Sequence, residues 1–184
     1  MGCQEKYIPC GLVDENSGQL HIHFGSSFKT SDFIVDTIEG WWESLSPRQK
    51  KQTQLLQFKV DNGPESSGVR TQFLKRMVAF SDRIGKPIQL LYYPPYHSKY
   101  NPIERCWGIL EQHWNGTQLK DKETMLRWAQ SMTWKGIHPI VKLNSKSYLK
   151  GISLNKTEMQ AIEKRLHRNP DLPKWDILIR PVNG

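Results

Sequence analysis

The stretch LLQFKVDNGPES, residues 55–66, decides the fold. Apolar residues occupy every second position from Leu56 to Val60, a period that predicts a strand over residues 55–61 with one apolar face. The strand ends abruptly at the tetrapeptide Asp-Asn-Gly-Pro, because Gly and Pro force the chain to turn. Asp61 is therefore expected at the carboxyl end of a buried strand, where open α/β sheets present ligands.

A second informative stretch is YYPPYHSKYNPIERCWGILEQHW, residues 92–114. Two prolines end a strand predicted over residues 87–93. Asn101 and Pro102 are typical of the first positions of a helix. Glu104 follows three residues after Asn101, which is the spacing of a capping box. Taken alone, Glu104 is best interpreted as a capping glutamate.

Taken together, the two carboxylates support another interpretation, although Asp61 alone is typical of an ordinary turn. A helix that begins near Asn101 is expected at the sheet edge where Asp61 lies, so that Asp61 and Glu104 face one another. Carboxylate oxygens are ligands that Mg²⁺ prefers. The aromatic, His, Ser and Lys residues of 92–101 suit a surface that stacks on bases and contacts phosphates, and an aromatic loop packed on the sheet is the structural alternative.

The remaining periodicities predict a mixed α/β domain rather than a bundle or a sandwich. Ser31 and Gly85 are expected as a helix N-cap and C-cap, and residues 46–52 as a basic connector. The predicted strands cover residues 7–13, 19–24, 55–61, 87–93, 137–141 and 175–179. The predicted helices cover residues 31–45, 67–84, 101–116, 122–134 and 156–166.

Composition indicates a globular chain with a polyanionic partner. The 184 residues carry a formal net charge of +8, with 37% hydrophobic residues and seven Trp, which excludes wholesale disorder. No apolar run reaches the length of a membrane span, so no membrane partner is expected. Three Cys without Cys-x-x-Cys spacing exclude a disulfide framework, and Cys106 is predicted to be a thiol in the core or at its boundary. His21 and His23 share a strand face, but without a third ligand they do not predict a metal site.

The two stretches together resemble DDE transposases. A strand followed by Asp-Asn-Gly, and then Pro-Pro-x-x-Ser-x-x-Asn-Pro-Ile-Glu-x-x-Trp, is the signature shared by mariner-like and related bacterial insertion-sequence enzymes. Within that group the chain is most similar to the Rhodopirellula-type transposase DDE family, which also has a paired Trp, here Trp41 and Trp42. The resemblance continues through SYLKGISLNKTEM at residues 147–159 and WDILIRP at residues 175–181. It spans essentially the whole chain.

The resemblance implies an RNase H-like fold, a mixed sheet flanked by helices, and two-metal phosphoryl transfer on DNA. By position, Asp61 is the second and Glu104 the third of the carboxylates that hold two Mg²⁺ or Mn²⁺ ions. Asn101 and Pro102 shape the loop that places Glu104. The residues expected to contact DNA are His97, Ser98, Lys99, Asn101 and Arg105.

One part of the family pattern has no counterpart in this chain. The first catalytic Asp of the family lies in a strand upstream of the hairpin that begins here at Tyr7, and residues 1–6 contain no Asp. Asp14 falls in the predicted hairpin turn, and Asp36 falls on a helix. We therefore expect an N-terminally truncated or split copy, whose RNase H-like sheet has its first strand missing and which also lacks the region that recognises the element ends.

Two functional classes stay open. The first is the catalytic domain of a bacterial insertion-sequence transposase, which cleaves DNA and transfers strands but is inactive as this fragment. The second is a non-catalytic DNA-binding remnant on the same scaffold. We expect one RNase H-like catalytic domain over residues 1–184, with a family-specific extension at residues 137–184 packed on it. The expected partners are DNA at transposon ends and target, a second copy of the chain and a separately encoded N-terminal fragment, in a cytoplasmic, nucleoid-associated setting.

Overall fold

The computed structural model of the chain describes residues 6–94, 96–117, 119 and 121–182. Helices and strands are interspersed along these residues, so the predicted mixed α/β class is confirmed. The strands form two mixed sheets, and the chain divides into two compact units. The first unit comprises the described parts of Met1–Lys29 and Lys99–Tyr148, and the second those of Thr30–Ser98 and Leu149–Gly184.

The elements are numbered in chain order. The strands are β1 (Ile8–Val13), β2 (Leu20–Gly25), β3 (Leu56–Val60), β4 (Ile88–Tyr92), β5 (Ile140–Asn144), β6 (Leu166–Arg168) and β7 (Asp176–Ile179). The helices are α1 (Ser31–Ser44), α2 (Pro47–Gln52), α3 (Thr71–Ile84), α4 (Pro102–His113), α5 (Lys122–Ser131) and α6 (Lys156–Glu163), with a short 3₁₀ turn at Ser98–Tyr100.

The first unit is a three-stranded sheet with the order β1-β2-β5. β1 and β2 form the predicted antiparallel hairpin, and β5 runs parallel to β2. In the hairpin turn the Asp14 carboxylate accepts the backbone N–H of Asn16 over 2.9 Å, so Asp14 has the turn role that its position predicts. One sheet face and the helices α4 and α5 build the core, to which Leu20, Ile22, Phe24, Cys106, Leu110, Met125 and Ala129 belong. Cys106 is a core thiol, as expected.

The second unit is a four-stranded sheet with the order β3-β4-β7-β6. β3 and β4 are parallel, whereas β7 is antiparallel to both of its neighbours. Helices α1 and α3 pack against one another, and an ion-pair cluster joins them. In this cluster Arg76 lies 2.6 Å from Asp32 and 2.6 Å from Asp36, so Asp36 is a structural carboxylate.

Helix ends differ from the predictions where a neighbouring residue supplies the cap. The N-cap of α1 is Thr30 rather than Ser31, because the Thr30 hydroxyl accepts the Phe33 N–H over 3.3 Å. α3 begins at Thr71 rather than residue 67, because residues 67–70 form a separate turn closed by the Arg70 N–H on the Ser67 carbonyl. The predicted C-cap Gly85 is confirmed, with φ at +64°.

Other differences concern short elements. The expected basic connector is helix α2, which a capping box between Ser46 and Gln49 begins. β5 starts at Ile140 rather than residue 137, because a tight hairpin pairs Trp134 with Ile137 first. β6 is too short to show a period in the sequence. Residues 137–184 thus contribute β5 to the first sheet and β6 and β7 to the second. None of the described helices is long and apolar enough to cross a membrane.

Candidate functional site

Asp61 directly follows β3, at the carboxyl edge of the sheet in the second unit. Because β3 and β4 are parallel, both strands end at this edge. The backbone N–H of Tyr93, just after β4, donates to the carbonyl of Val60 over 3.3 Å and joins the two strand ends. Asp61 is partly buried there. The predicted position of Asp61 at the end of a strand is therefore confirmed.

The loop that carries Asp61 is braced by β4. The Ser66 hydroxyl donates to the Asp61 carbonyl over 3.0 Å, and the Ser66 N–H donates to the Gly63 carbonyl over 3.2 Å. The buried Tyr92 hydroxyl donates to the Ser66 carbonyl over 2.8 Å. Burial raises the pKa of Tyr92 above its ordinary value, which keeps this hydroxyl protonated as a donor. Hydrogen bonds from Tyr92 through Ser66 thus hold the backbone of Asp61.

The sequence did not single out Ser66 and Tyr92. Ser66 is the last residue of the stretch around Asp61, and Tyr92 is one of several aromatics that begin the second stretch. A Ser five residues after the acidic residue is a local signal for a braced turn. Its contact with Tyr92, however, joins positions 26 residues apart, and no local pattern reports such a contact.

Glu65, the other acidic residue of the Asp61 loop, has structural partners. Its carboxylate accepts the backbone N–H of Ser31 over 3.1 Å and the Ser31 hydroxyl over 2.9 Å. Arg70 forms an ion pair with the same carboxylate at 3.3 Å. These contacts tie the start of α1 to the loop, so Glu65 stabilises the edge on which Asp61 lies.

The loop after β4 leaves from the same edge of the second unit. The His97 N–H donates to the Pro94 carbonyl over 3.1 Å and closes a turn, whose tip carries Tyr96. Tyr96 and His97 are exposed. Of the expected DNA contacts in this loop, His97 thus lies on the surface, and the side chain of Ser98 lies outside the described part of the structure.

In the first unit, the start of α4 carries the remaining candidate residues. Asn101 is buried and is the N-cap of α4, where its side-chain oxygen accepts the Ile103 N–H over 3.2 Å. Asn101 thus begins the helix whose first turn carries Glu104, and its role in placing Glu104 for metal binding stays a prediction. Glu104 and Arg105 are exposed on the first turn, and Lys99 is exposed before it. The Lys99 ammonium lies 5.2 Å from the centre of the Tyr100 ring.

The interpretation of Glu104 as a capping glutamate is wrong. Asn101 accepts the N–H of the second helical residue, and the Glu104 carboxylate makes no return bond to the Asn101 backbone. Within the described residues the Glu104 side chain has neither a hydrogen bond nor an ion pair. Glu104 therefore presents a solvated carboxylate at the beginning of α4.

Close packing against β1 positions the start of α4. A Cβ atom added to Gly11 would lie 2.5 Å from the Ile103 side chain and 2.7 Å from the Trp107 ring. Only Gly lets the helix approach the strand this closely. Gly11 consequently fixes the depth at which the first turn of α4, with Glu104, lies on the sheet.

Divalent metal ions suit the chemistry of Asp61 and Glu104, since both offer hard carboxylate oxygens. Asp61 belongs to the second unit and Glu104 to the first, so their sharing of a metal stays a prediction. Among the described residues no three His, Cys, Asp or Glu side chains cluster as a metal site. His21 Nδ1 and His23 Nε2 are buried and find no hydrogen-bond partner among the residues that the structure describes. Burial lowers the pKa of His23 to about 4, so this imidazole is neutral at pH 7.

Comparison with known protein families identifies the family of the chain. The model of the Rhodopirellula transposase DDE domain family matches residues 2–181, nearly the entire chain. No curated protein and no solved structure matches the chain. The family match covers both units, with Asp61 and Glu104 inside it.

Proposed function

Because the chain belongs to the Rhodopirellula transposase DDE domain family, we propose that it is the catalytic domain of an insertion-sequence transposase that cleaves DNA and transfers strands. Membership of a transposase family implies DNA as a partner. In this proposal Asp61 and Glu104 are metal ligands. Bound Mg²⁺ or Mn²⁺ ions would supply Lewis-acid stabilisation of the attacking and leaving oxygens at the phosphodiester.

The observation that carries the proposal is the exposed Glu104 carboxylate, which does not form a capping box. Its spacing from Asn101 makes a capping box available, and its carboxylate is nevertheless exposed and without a partner among the described residues. A carboxylate kept out of an available hydrogen bond is ready to bind a cation. Asp61 supports the same function, because the Tyr92–Ser66 hydrogen bonds hold its backbone at a ligand-binding sheet edge.

We further propose that DNA is bound mainly through its phosphates. The net charge of +8 favours a polyanion, and His97, Lys99 and Arg105 are exposed and lie close to Glu104 in the sequence. Ser98 belongs to the same proposed surface. Asn101 contributes indirectly, by beginning the helix that carries Arg105.

A non-catalytic DNA-binding remnant is the second candidate. The observation that favours it is the number of matched ligands: the family motif supplies Asp61 and Glu104, whereas two-metal catalysis requires a further carboxylate that bridges both ions. Under this candidate, as under an inactive fragment of the transposase, the isolated chain binds DNA without cutting it. The two candidates differ in whether activity returns when the upstream strand of a family member is added.

A plasmid-nicking assay tests the proposal. Supercoiled DNA is incubated with Mg²⁺ or Mn²⁺ and either this chain or the chain extended by the upstream Asp-bearing strand. Asp61→Asn and Glu104→Gln are compared in the extended chain with Glu111→Gln, a matched control because Glu111 is exposed on the same helix. We expect nicking by the extended chain, its loss in Asp61→Asn and Glu104→Gln, and its retention in Glu111→Gln.

The outcomes separate the candidates. Nicking that survives both Asp61→Asn and Glu104→Gln overturns the assignment of these residues. An extended chain that binds DNA but never nicks it supports the remnant. Nicking by the unextended chain, abolished by Asp61→Asn, supports the catalytic function and contradicts the need for a further carboxylate from an upstream strand.

A binding experiment tests the DNA surface. Anisotropy of a labelled duplex is measured between 50 and 200 mM salt for the native chain and for Lys99→Ala with Arg105→Ala. Each phosphate contact that is lost lowers the salt slope by about one, so we expect a decrease of about two. The control, Lys156→Ala with Lys164→Ala, removes the same charge from two exposed lysines, one at the start of α6 and one at its C-cap. Equal slopes for the two double variants would contradict the proposed surface.

A further inference from the structure

Tyr96 combines two unusual properties. Its backbone is left-handed, with φ at +66°, at the tip of the turn that the His97 N–H closes on the Pro94 carbonyl. Its side chain is 97% exposed and makes no ring contact or hydrogen bond within the described residues. The other non-glycine residue at positive φ in the described chain, Lys135, is a charged residue at a hairpin tip.

Neither property stabilises the fold. A bulky residue at positive φ is strained, and Gly or Asn would occupy this position of the turn without that strain. A ring that is almost completely exposed contributes no burial. Strain kept at an exposed loop tip suggests a functional role for the residue. The loop leaves the carboxyl edge of the second unit's sheet, the edge at which Asp61 lies.

We propose that the Tyr96 ring is a stacking platform for an unpaired nucleobase of the DNA substrate. This inference rests on the proposed function, since it takes the ligand to be DNA. An aromatic ring stacks on the face of a base, and in a duplex both faces are already covered by neighbouring base pairs. Tyr96 therefore engages DNA whose strands are separated or whose base is displaced, as next to a strand that is being cut or joined.

The test uses a single-stranded oligonucleotide with one 2-aminopurine, whose fluorescence decreases when the base stacks. Tyr96→Asn and Tyr96→Gly both suit the left-handed backbone but lack a ring, whereas Tyr96→Phe keeps the ring. We expect quenching and affinity to persist in Tyr96→Phe. Both ringless variants should lose the quenching and bind about tenfold more weakly, as base–aromatic stacking predicts.

Thermal stability provides a second measurement, which should increase in the variant that binds DNA more weakly. Tyr96→Gly removes the strain, so its Tm should rise by about 2–4 °C while its binding to the single strand decreases. Lys135→Gly is the matched control, because it relieves the same kind of backbone strain in a turn of the first unit. Its Tm should rise as well, with quenching and affinity unchanged.

The outcomes distinguish this inference from the function on which it rests. If the native chain binds neither duplex nor single strands at low salt, the proposed function itself fails. If the native chain binds DNA and Tyr96→Gly quenches 2-aminopurine as strongly as the native chain, only the role of Tyr96 is overturned. The role of Tyr96 would also be overturned if Tyr96→Phe bound the single strand as weakly as Tyr96→Gly, because keeping the ring would then not preserve binding.

Discussion

Replacing His23 by Leu should remove much of the acid sensitivity of the fold. His23 lies on β2 opposite Cys10 of β1 and Lys142 of β5, and its exposed fraction is 5%. Burial, followed by the charges of Lys142 and His21, lowers the pKa of His23 to about 4. In the unfolded chain its pKa returns to the ordinary 6.5. The unfolded state therefore binds more protons between these two values.

The difference between the two pKa values determines the direction and the size of the change in unfolding free energy with pH. A folded-state pKa below the unfolded value means that stability falls as the pH decreases from about 6.5 and levels off below about 4. Between pH 7 and pH 5 the loss from His23 amounts to about 2 kcal/mol. Burial also lowers the pKa of His21, against the opposing charge of Asp14, so His21 adds a loss of the same sign.

Urea unfolding at pH 7, 6 and 5, followed by circular dichroism, measures the effect. The native chain should lose stability steadily over this range, and His23→Leu should lose about 2 kcal/mol less. His167→Leu is the control, because it makes the same replacement at a His whose side chain is exposed. Equal losses in the native chain and in His23→Leu would refute the reasoning, as would a reduced loss in His167→Leu.

Two further predictions concern packing and charge. Gly11→Ala should destabilise the fold by about 1–3 kcal/mol in urea unfolding, because its Cβ would meet the Trp107 ring, whereas Gly108→Ala, with open space around its Cβ, should be neutral or stabilising. Arg76→Ala should cost about 2–3 kcal/mol, because it leaves partly buried carboxylates of α1 without their cation. Arg83→Ala, whose ion pairs are more exposed, should cost under about 1 kcal/mol in the same assay, and equal costs would contradict the argument from burial.

Elements with strong local signals could be predicted from the sequence. The two-residue period before Asp61 is present in β3, and the glycine after the apolar stripe of α3 is its left-handed C-cap. The hairpin of β1 and β2 likewise follows from a turn-rich linker between two β-prone runs. In each case the residues that determine the element are neighbours in the chain, so a short window contains the whole cause.

Features that depend on distant residues could not be predicted. The strands divide between two sheets because β5 pairs with β2 and β7 with β4, and no local period specifies a pairing partner. The helical spacing of Val69, Phe73 and Met77 predicts a start of α3 at residue 67, but Val69 is exposed in the turn before the helix. The brace from Tyr92 to Ser66 has the same long-range origin.

Glu104 illustrates what local spacing leaves open. The same three-residue spacing occurs at Ser46 with Gln49 and at Asn155 with Glu158, and both of these pairs form a capping box. Asn101 and Glu104 do not, because the Asn101 side chain accepts the N–H of Ile103 instead. A proline at the first helical position does not explain the difference, since α2 has one and is boxed. The same spacing forms a capping box twice in this chain but not at Glu104. Such a departure from the local rule is expected where a residue serves a function other than stabilising its helix. Under the proposed function, this role is cation binding by the exposed Glu104 carboxylate.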